Sequence, residues 1–189
     1  MTGKEEIIII HDCQSGHLEK FGILYQSYIR KIYDFIYYKT LNKEVAEDLT
    51  STTFLKALKN INNFQTNKGQ FSSWLYRIAR NNVIDYYRTK KTEFDVNEFW
   101  DLTDKNNTEF DFEAKQKIEK VEKYLKQLPP EQREIVIMRV WNEMSYQEIA
   151  EVLDKSEASC KMLFSRTINK LRVSLPLTIY ILTLINPLK

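Results

Sequence analysis

Apolar residues recur at three- and four-residue steps through most of the chain. Between Leu18 and Thr40, Phe21, Leu24, Tyr25, Tyr28, Ile29, Ile32, Phe35 and Ile36 fall on a single stripe of one helix. The same spacing predicts a second amphipathic helix over 43–59, with Val45, Leu49, Phe54, Leu55 and Leu58 turned inward. The polar tract 60–69, rich in Asn and holding one glycine, reads as a loop. Ser72 or Ser73 can cap a third helix whose Trp74, Leu75, Ile78, Ala79 and Val83 face a core. That helix runs into the basic, aromatic tract 85–91.

Periodicity then stops. Residues 93–113 are acidic and Asn-rich, which is linker composition. It returns over 114–128, and Pro129-Pro130 ends one helix and opens another, with Pro130 suited to a first turn and Glu131 to a helix N-terminus. Ile135, Val136, Met138, Val140 and Trp141 supply the apolar face, and 142–144 breaks it. Ser145 and Glu148 have the spacing of a capping box, opening a short helix that ends near Leu153. Asp154-Lys155-Ser156 is a tight turn, and Ser156 can cap a longer last helix. Cys160, Phe164, Thr167 and Leu171 share one side of it, leaving Ser159, Lys161, Met162, Ser165, Arg166 and Lys170 outward. Short helix, turn and longer helix are the proportions of a DNA-reading helix-turn-helix. The pattern predicts an all-α protein of two small helical domains.

Composition narrows the reading. Only four glycines and four prolines argue against a turn-rich β protein. The net charge of +2 divides unevenly: 1–92 carry +5, 93–119 carry −6 and 120–189 carry +3. Two mildly basic segments flanking an acidic one suit two nucleic-acid-facing modules joined by a linker that avoids DNA. Neither excess predicts tight binding to DNA alone. Cys13 and Cys160 form no C-x-x-C pair, and the run Ile7–Ile10 follows two glutamates and is too short for a signal peptide. No apolar stretch reaches the ~20 residues of a membrane span, so a reducing cytoplasm is the simplest location. His11, Cys13 and His17 lack a fourth ligand for a closed zinc site and read as ordinary helix positions. No set of carboxylates or ligands converges as a catalytic site would require.

Two pairs of segments carry a resemblance. Glu44-Val45-Ala46-Glu47-Asp48-Leu49 through Phe54-Leu55-Lys56-Ala57, with Phe71-Ser72-Ser73-Trp74-Leu75-Tyr76-Arg77-Ile78-Ala79-Arg80-Asn81, resembles region 2 of the extracytoplasmic-function sigma factors of bacterial RNA polymerase. Leu128-Pro129-Pro130-Glu131-Gln132-Arg133-Glu134 and Met144-Ser145-Tyr146-Gln147-Glu148-Ile149-Ala150-Glu151-Val152-Leu153 resemble region 4. The chain differs from the family's usual residues at Ser51-Thr52, at Ala158-Ser159-Cys160, and at Leu163 and Ile168.

The resemblance implies region 2 over 1–92, an acidic linker over 93–113, region 4 over 114–175 and an apolar tail over 176–189. It implies a non-enzymatic subunit that binds core RNA polymerase, through the β′ clamp helices and the β flap, and directs initiation at promoters. Glu47, Asp48, Ser51, Phe54 and Leu55 would meet polymerase. Phe64, Asn67, Lys68, Arg77, Arg80, Asn81, Asn82 and Arg88 would engage the −10 element, where extruded bases need aromatic surfaces, amides and cations near phosphates. Ser145, Ser156, Ser159, Lys161, Met162, Ser165, Arg166 and Lys170 would serve the −35 element. Promoter DNA and an anti-sigma factor are the further partners implied. No metal, cofactor or small-molecule substrate is called for. The competing expectation is a stand-alone helix-turn-helix regulator, which accounts for 120–173 but not for the Trp74–Asn82 tract.

Three segments keep two readings each. Tyr86-Tyr87 either stack on bases or close the core. The acidic segment is either a solvated linker or threads near the RNA exit path. The tail either packs on region 4 or docks on a partner.

Overall fold

The computed structural model describes residues 1–91 and 127–174 together with Leu125. The acidic linker and the apolar tail therefore lie outside the described residues. The chain divides into two compact units, Met1–Phe94 and Asp95–Lys189. Among the described residues every regular element is helical. None of these helices is long and apolar enough to cross a membrane.

The first unit opens with α1, Gly3–Gln14, whose N-terminus is closed by a reciprocal capping box between Thr2 and Glu5. A 3₁₀ turn at Leu18–Lys20 leads into α2, Phe21–Thr40. The helix expected from Leu18 thus becomes α-helical only at Phe21. Leu41 adopts the left-handed conformation that stops α2, and Asn42 caps α3, Lys43–Lys59, by accepting from the Val45 amide at 2.9 Å. A second 3₁₀ turn, Ile61–Asn63, and a loop precede α4, Phe71–Lys91.

Helices α2, α3 and α4 pack on one another, and α1 lies against α2 and the turn after α3. Their shared core holds Leu24, Ile32, Phe35, Ala46, Leu75 and Ala79, all fully buried. The Phe35 and Tyr76 rings meet edge to face at 5.1 Å, an arrangement favoured by their quadrupoles. Removing such a buried ring typically costs about 3–5 kcal/mol, so the stripe read from spacing is what holds the unit together.

Two local expectations are corrected. Leu55, expected inward, is 58% exposed, because Phe54 beside it takes the inward position against the Tyr25 ring at 4.8 Å. Ser72 and Ser73 do not cap α4. Phe71 is itself drawn into the core, touching Tyr28 and Phe64, so the helix begins there and both serines are buried in its first turn.

In the second unit Pro129 is extended and Pro130 opens α5, Pro130–Val136, which runs on into a π-helical turn at Ile137–Trp141. Glu143 has a φ of 55° in the break that follows. Helix α6, Tyr146–Leu153, ends on Asp154 in the left-handed conformation, and α7 spans Glu157–Ser174. Ile135, Met138, Ile149, Val152, Cys160 and Leu171 form the core between them. Arg133 is buried and ties α5 to the preceding segment, donating from Nε to the Leu125 carbonyl at 2.6 Å and from Nη2 to that of Leu128 at 3.3 Å.

Candidate nucleic-acid and polymerase interfaces

In α4 the outward stripe runs Arg77, Asn81, Ile84 and Arg88, at steps of four, three and four residues, with all four exposed. Arg80 is half-buried beside it. Arg88 pairs with Asp85 one turn back at 3.1 Å. Ile84, 42% exposed in the middle of this polar stripe, is a member that the sequence reading missed.

Asn82 does not join this face. A step of 100° from Asn81 turns it into the α3–α4 interface, where it is 3% exposed. Its Nδ2 donates to Thr53 Oγ1 at 2.9 Å, and its Oδ1 accepts from Lys56 Nζ at 2.5 Å. The expectation that Asn82 meets DNA directly is corrected: both ends of its amide hold two helices together.

Phe64 is also corrected. It is 7% exposed, with its ring 5.6 Å from Phe71 and 5.3 Å from Trp74. It anchors the loop rather than offering a free stacking surface. Asn67 and Lys68, two and three positions after Gln65 in the same loop, are exposed. A cleft of about 630 Å³ separates this loop from the start of α1, lined by Thr2, Glu6, Ile10, Phe64, Gly69 and Gln70 among others.

Gln14, unremarked in the sequence, holds the start of the same loop. Its side-chain amide donates to the Ile61 carbonyl at 2.9 Å and the Phe64 carbonyl at 2.8 Å. Nothing local in the sequence points to this pairing, which joins positions 47 and 50 residues apart.

On α3 the residues Glu47, Asp48, Ser51 and Leu55 are exposed on adjoining turns. Phe54 is the exception: at 5% exposure it belongs to the core and cannot present its ring to a partner. Tyr86 and Tyr87 are half-buried; Tyr87 donates to the Lys39 carbonyl at 3.1 Å, and Lys90 lies over the Tyr86 ring at 5.0 Å. His11 and His17 are exposed while Cys13 is buried, so the three do not share a surface.

In the second unit Ser159, Lys161, Met162, Ser165, Arg166 and Lys170 are all exposed on α7. Asn169 lies on the same side, one turn beyond Ser165, and was not singled out from the sequence. Ser156 caps this helix by accepting from the Ser159 amide at 3.2 Å, and the two hydroxyls are 2.9 Å apart. Lys161 pairs with Glu157 at 2.8 Å, and Arg166 rests on the Met162 sulfur at 3.5 Å. Ser145 and Glu148 form the expected capping box, with Ser145 N–H to Glu148 Oε2 at 2.8 Å and Glu148 N–H to Ser145 Oγ at 3.2 Å. Arg139 stacks over the Tyr146 ring at 4.7 Å and donates to the Met144 carbonyl at 2.7 Å, fixing the turn that enters α6.

A four-helix unit with an exposed basic and amide stripe, followed by a helix-turn-helix unit, is the arrangement on which the comparisons converge. Residues 24–93 match Sigma-70 region 2, and residues 118–171 match Sigma-70 region 4. The chain is 34% identical over 173 residues to the ECF RNA polymerase sigma factor BldN of Streptomyces coelicolor, covering 89% of this chain and 65% of BldN. It is 30% identical over 152 residues to the ECF RNA polymerase sigma factor SigM of Bacillus subtilis, covering 79% of this chain and 91% of SigM. The fold is similar to that of CnrH, solved in complex with the cytosolic domain of CnrY, with a TM-score of 0.70 at 22% identity over 89% of this chain and 96% of the other. The chain belongs to the ECF family of bacterial RNA polymerase sigma factors.

Proposed function

We propose that this chain binds bacterial core RNA polymerase in the cytoplasm and directs initiation at a particular set of promoters, without catalysing a reaction itself. The observation that carries the reading is the joint display, in one chain, of the Arg77–Asn81–Ile84–Arg88 stripe and the outward face of α7.

Three surfaces divide the work. The exposed face of α3, with Glu47, Asp48, Ser51 and Leu55, meets the β′ clamp helices; its acid and apolar groups suit a basic and apolar partner helix. Asn67, Lys68, Arg77, Arg80, Asn81 and Arg88 receive the melted −10 strand, cations on phosphates and amides on base edges. Ser159, Lys161, Met162, Ser165, Arg166 and Lys170 enter or flank the major groove of the −35 element, while Ser145 and Ser156 fix the two helix starts. The second unit also meets the β flap, and the acidic stretch 93–113 spans the two. The similar fold of the sigma factor RpoE was solved in complex with the anti-sigma factor NepR from Bartonella quintana, and an anti-sigma factor is the further partner proposed for this chain.

Run-off transcription on a sheared genomic template, with core polymerase and with or without the protein, tests this. Transcripts that need both components and share one −35/−10 pair support it. Binding of duplex DNA without polymerase, and no initiation, would leave the stand-alone regulator in its place.

A further inference from the structure

The loop between the Ile61–Asn63 turn and α4 must present Asn67 and Lys68 from backbone that no regular ladder holds. Among the contacts that fix it, one crosses from a different part of the chain. Gln14, the last residue of α1, is half-buried and directs both protons of its side-chain amide at this segment. One goes to the Ile61 carbonyl at 2.9 Å and the other to the Phe64 carbonyl at 2.8 Å. The Ile61 carbonyl also accepts from the Phe64 amide at 3.1 Å, so the turn is gripped where it passes into the loop. The Phe64 ring, set against Phe71 and Trp74, pins the same residue from the other side.

We propose that Gln14 is a positioning residue for −10 recognition: α1 fixes the backbone of the capture loop before DNA arrives, so that strand binding does not have to order it. The inference rests on the reading of this loop as a −10 contact. A loop held in its binding conformation loses less freedom on binding, and the difference appears as affinity for whatever the loop grips. A glutamine is suited to the task because its two N–H donors can serve two carbonyls at once. Glutamate has nearly the same shape but only acceptors, and leucine the same bulk with neither.

The test uses holoenzyme assembled from core polymerase and the full chain, with a fluorescent single-stranded oligonucleotide carrying the −10 sequence mapped by run-off transcription. Gln14→Leu and Gln14→Glu are each expected to lose about tenfold in affinity for this strand, the scale of two net hydrogen bonds. Core binding by both variants stays at the level of the unaltered protein, and residues 61–70 exchange their amide protons faster. Three outcomes overturn the inference. Equal losses in core binding and strand binding would make Gln14 a general support of the fold. Unchanged strand affinity in both variants, while Asn67→Ala and Lys68→Ala still weaken it, would leave the loop reading intact and remove Gln14 from it. If Asn67→Ala and Lys68→Ala also had no effect, the loop reading itself would fall, and the inference with it.

Discussion

Asn82 Nδ2 donates to Thr53 Oγ1 at 2.9 Å, joining α4 to α3 beneath the surface on which Asn81 is exposed. Thr53 passes the connection on by donating to the Leu49 carbonyl at 2.7 Å, and Lys56 holds the other end of the amide. Removing the amide forfeits two hydrogen bonds, each worth about 0.5–1.5 kcal/mol net, or about 1–3 kcal/mol together. Asn82→Ala is therefore expected to lower the urea-unfolding free energy by that amount, while Asn81→Ala changes it by less than about 0.5 kcal/mol. On the −10 strand the order reverses, with Asn81→Ala the weaker binder once folded protein is compared at equal concentration. An Asn82→Ala protein of normal stability that had lost the strand would move Asn82 to the DNA surface.

The burial of Asp34 sets the sign of a pH dependence in the first unit. Burial in α2 raises its carboxyl above the ordinary aspartate value, and Arg30 opposes this only in part. The ionised form is thus disfavoured in the folded protein. The stability tied to this group is fully present below the unfolded value of about 3.9 and is lost as pH rises through the higher folded value. Asp34→Asn is expected to raise the urea midpoint at neutral pH, with the gap between variant and parent closing as pH falls toward about 4. A lower midpoint for the variant at neutral pH would mean that Asp34 gains more from its cationic neighbour than it loses by burial.

Both cysteines are buried, and burial pushes both thiols up from their ordinary value. The thiolate is the reactive species, so access and ionisation act in the same direction. In native protein at pH 8 neither Cys13 nor Cys160 is expected to react with iodoacetamide within the time in which a free thiol is consumed, and both react in urea. Fast native alkylation of Cys160 alone would show that α7 opens locally without global unfolding.

These cases show what could be read from the chain and what could not. The stripe over Phe21–Ile36 and the Ser145–Glu148 box were legible because each depends on spacing within one helix. Residues three or four apart keep their relation whatever packs on them. Asn81 and Asn82 look alike in sequence; only the packing of α3 on α4 decides which one turns inward. Phe64 sits in a polar tract, and its anchoring role appears only when Phe71 and Trp74 come round to meet it. Leu55 and Phe54 compete for one inward position, and the Tyr25 ring on α2 selects Phe54. Gln14 was invisible because its partners are two backbone carbonyls, which carry no side-chain signature.

In the second unit Ser145, which builds a helix, parts from Arg166, a proposed DNA contact, although the resemblance implied both for one −35 set. Ser145 spends its hydroxyl inside the capping box, accepting from the Glu148 amide and lying 2.8 Å from the Glu148 carboxylate. Ser145→Ala is expected to cost about 1 kcal/mol of stability, while the dependence of promoter affinity on salt is unchanged. Arg166 is exposed, and its described contact is a weak one to the Met162 sulfur, so its guanidinium can turn toward DNA at little cost. Arg166→Ala should leave urea unfolding within about 0.5 kcal/mol of the parent and weaken binding of holoenzyme to duplex carrying the −35 element. The form of that loss identifies the contact. If the slope of log affinity against log salt falls by about 0.9, Arg166 neutralises one phosphate. If the slope holds while discrimination at one base pair drops, the guanidinium reads a guanine edge. A variant that binds like the parent by both measures would take Arg166 off the DNA-facing surface, and leave Lys161, Ser165 and Asn169 to define it.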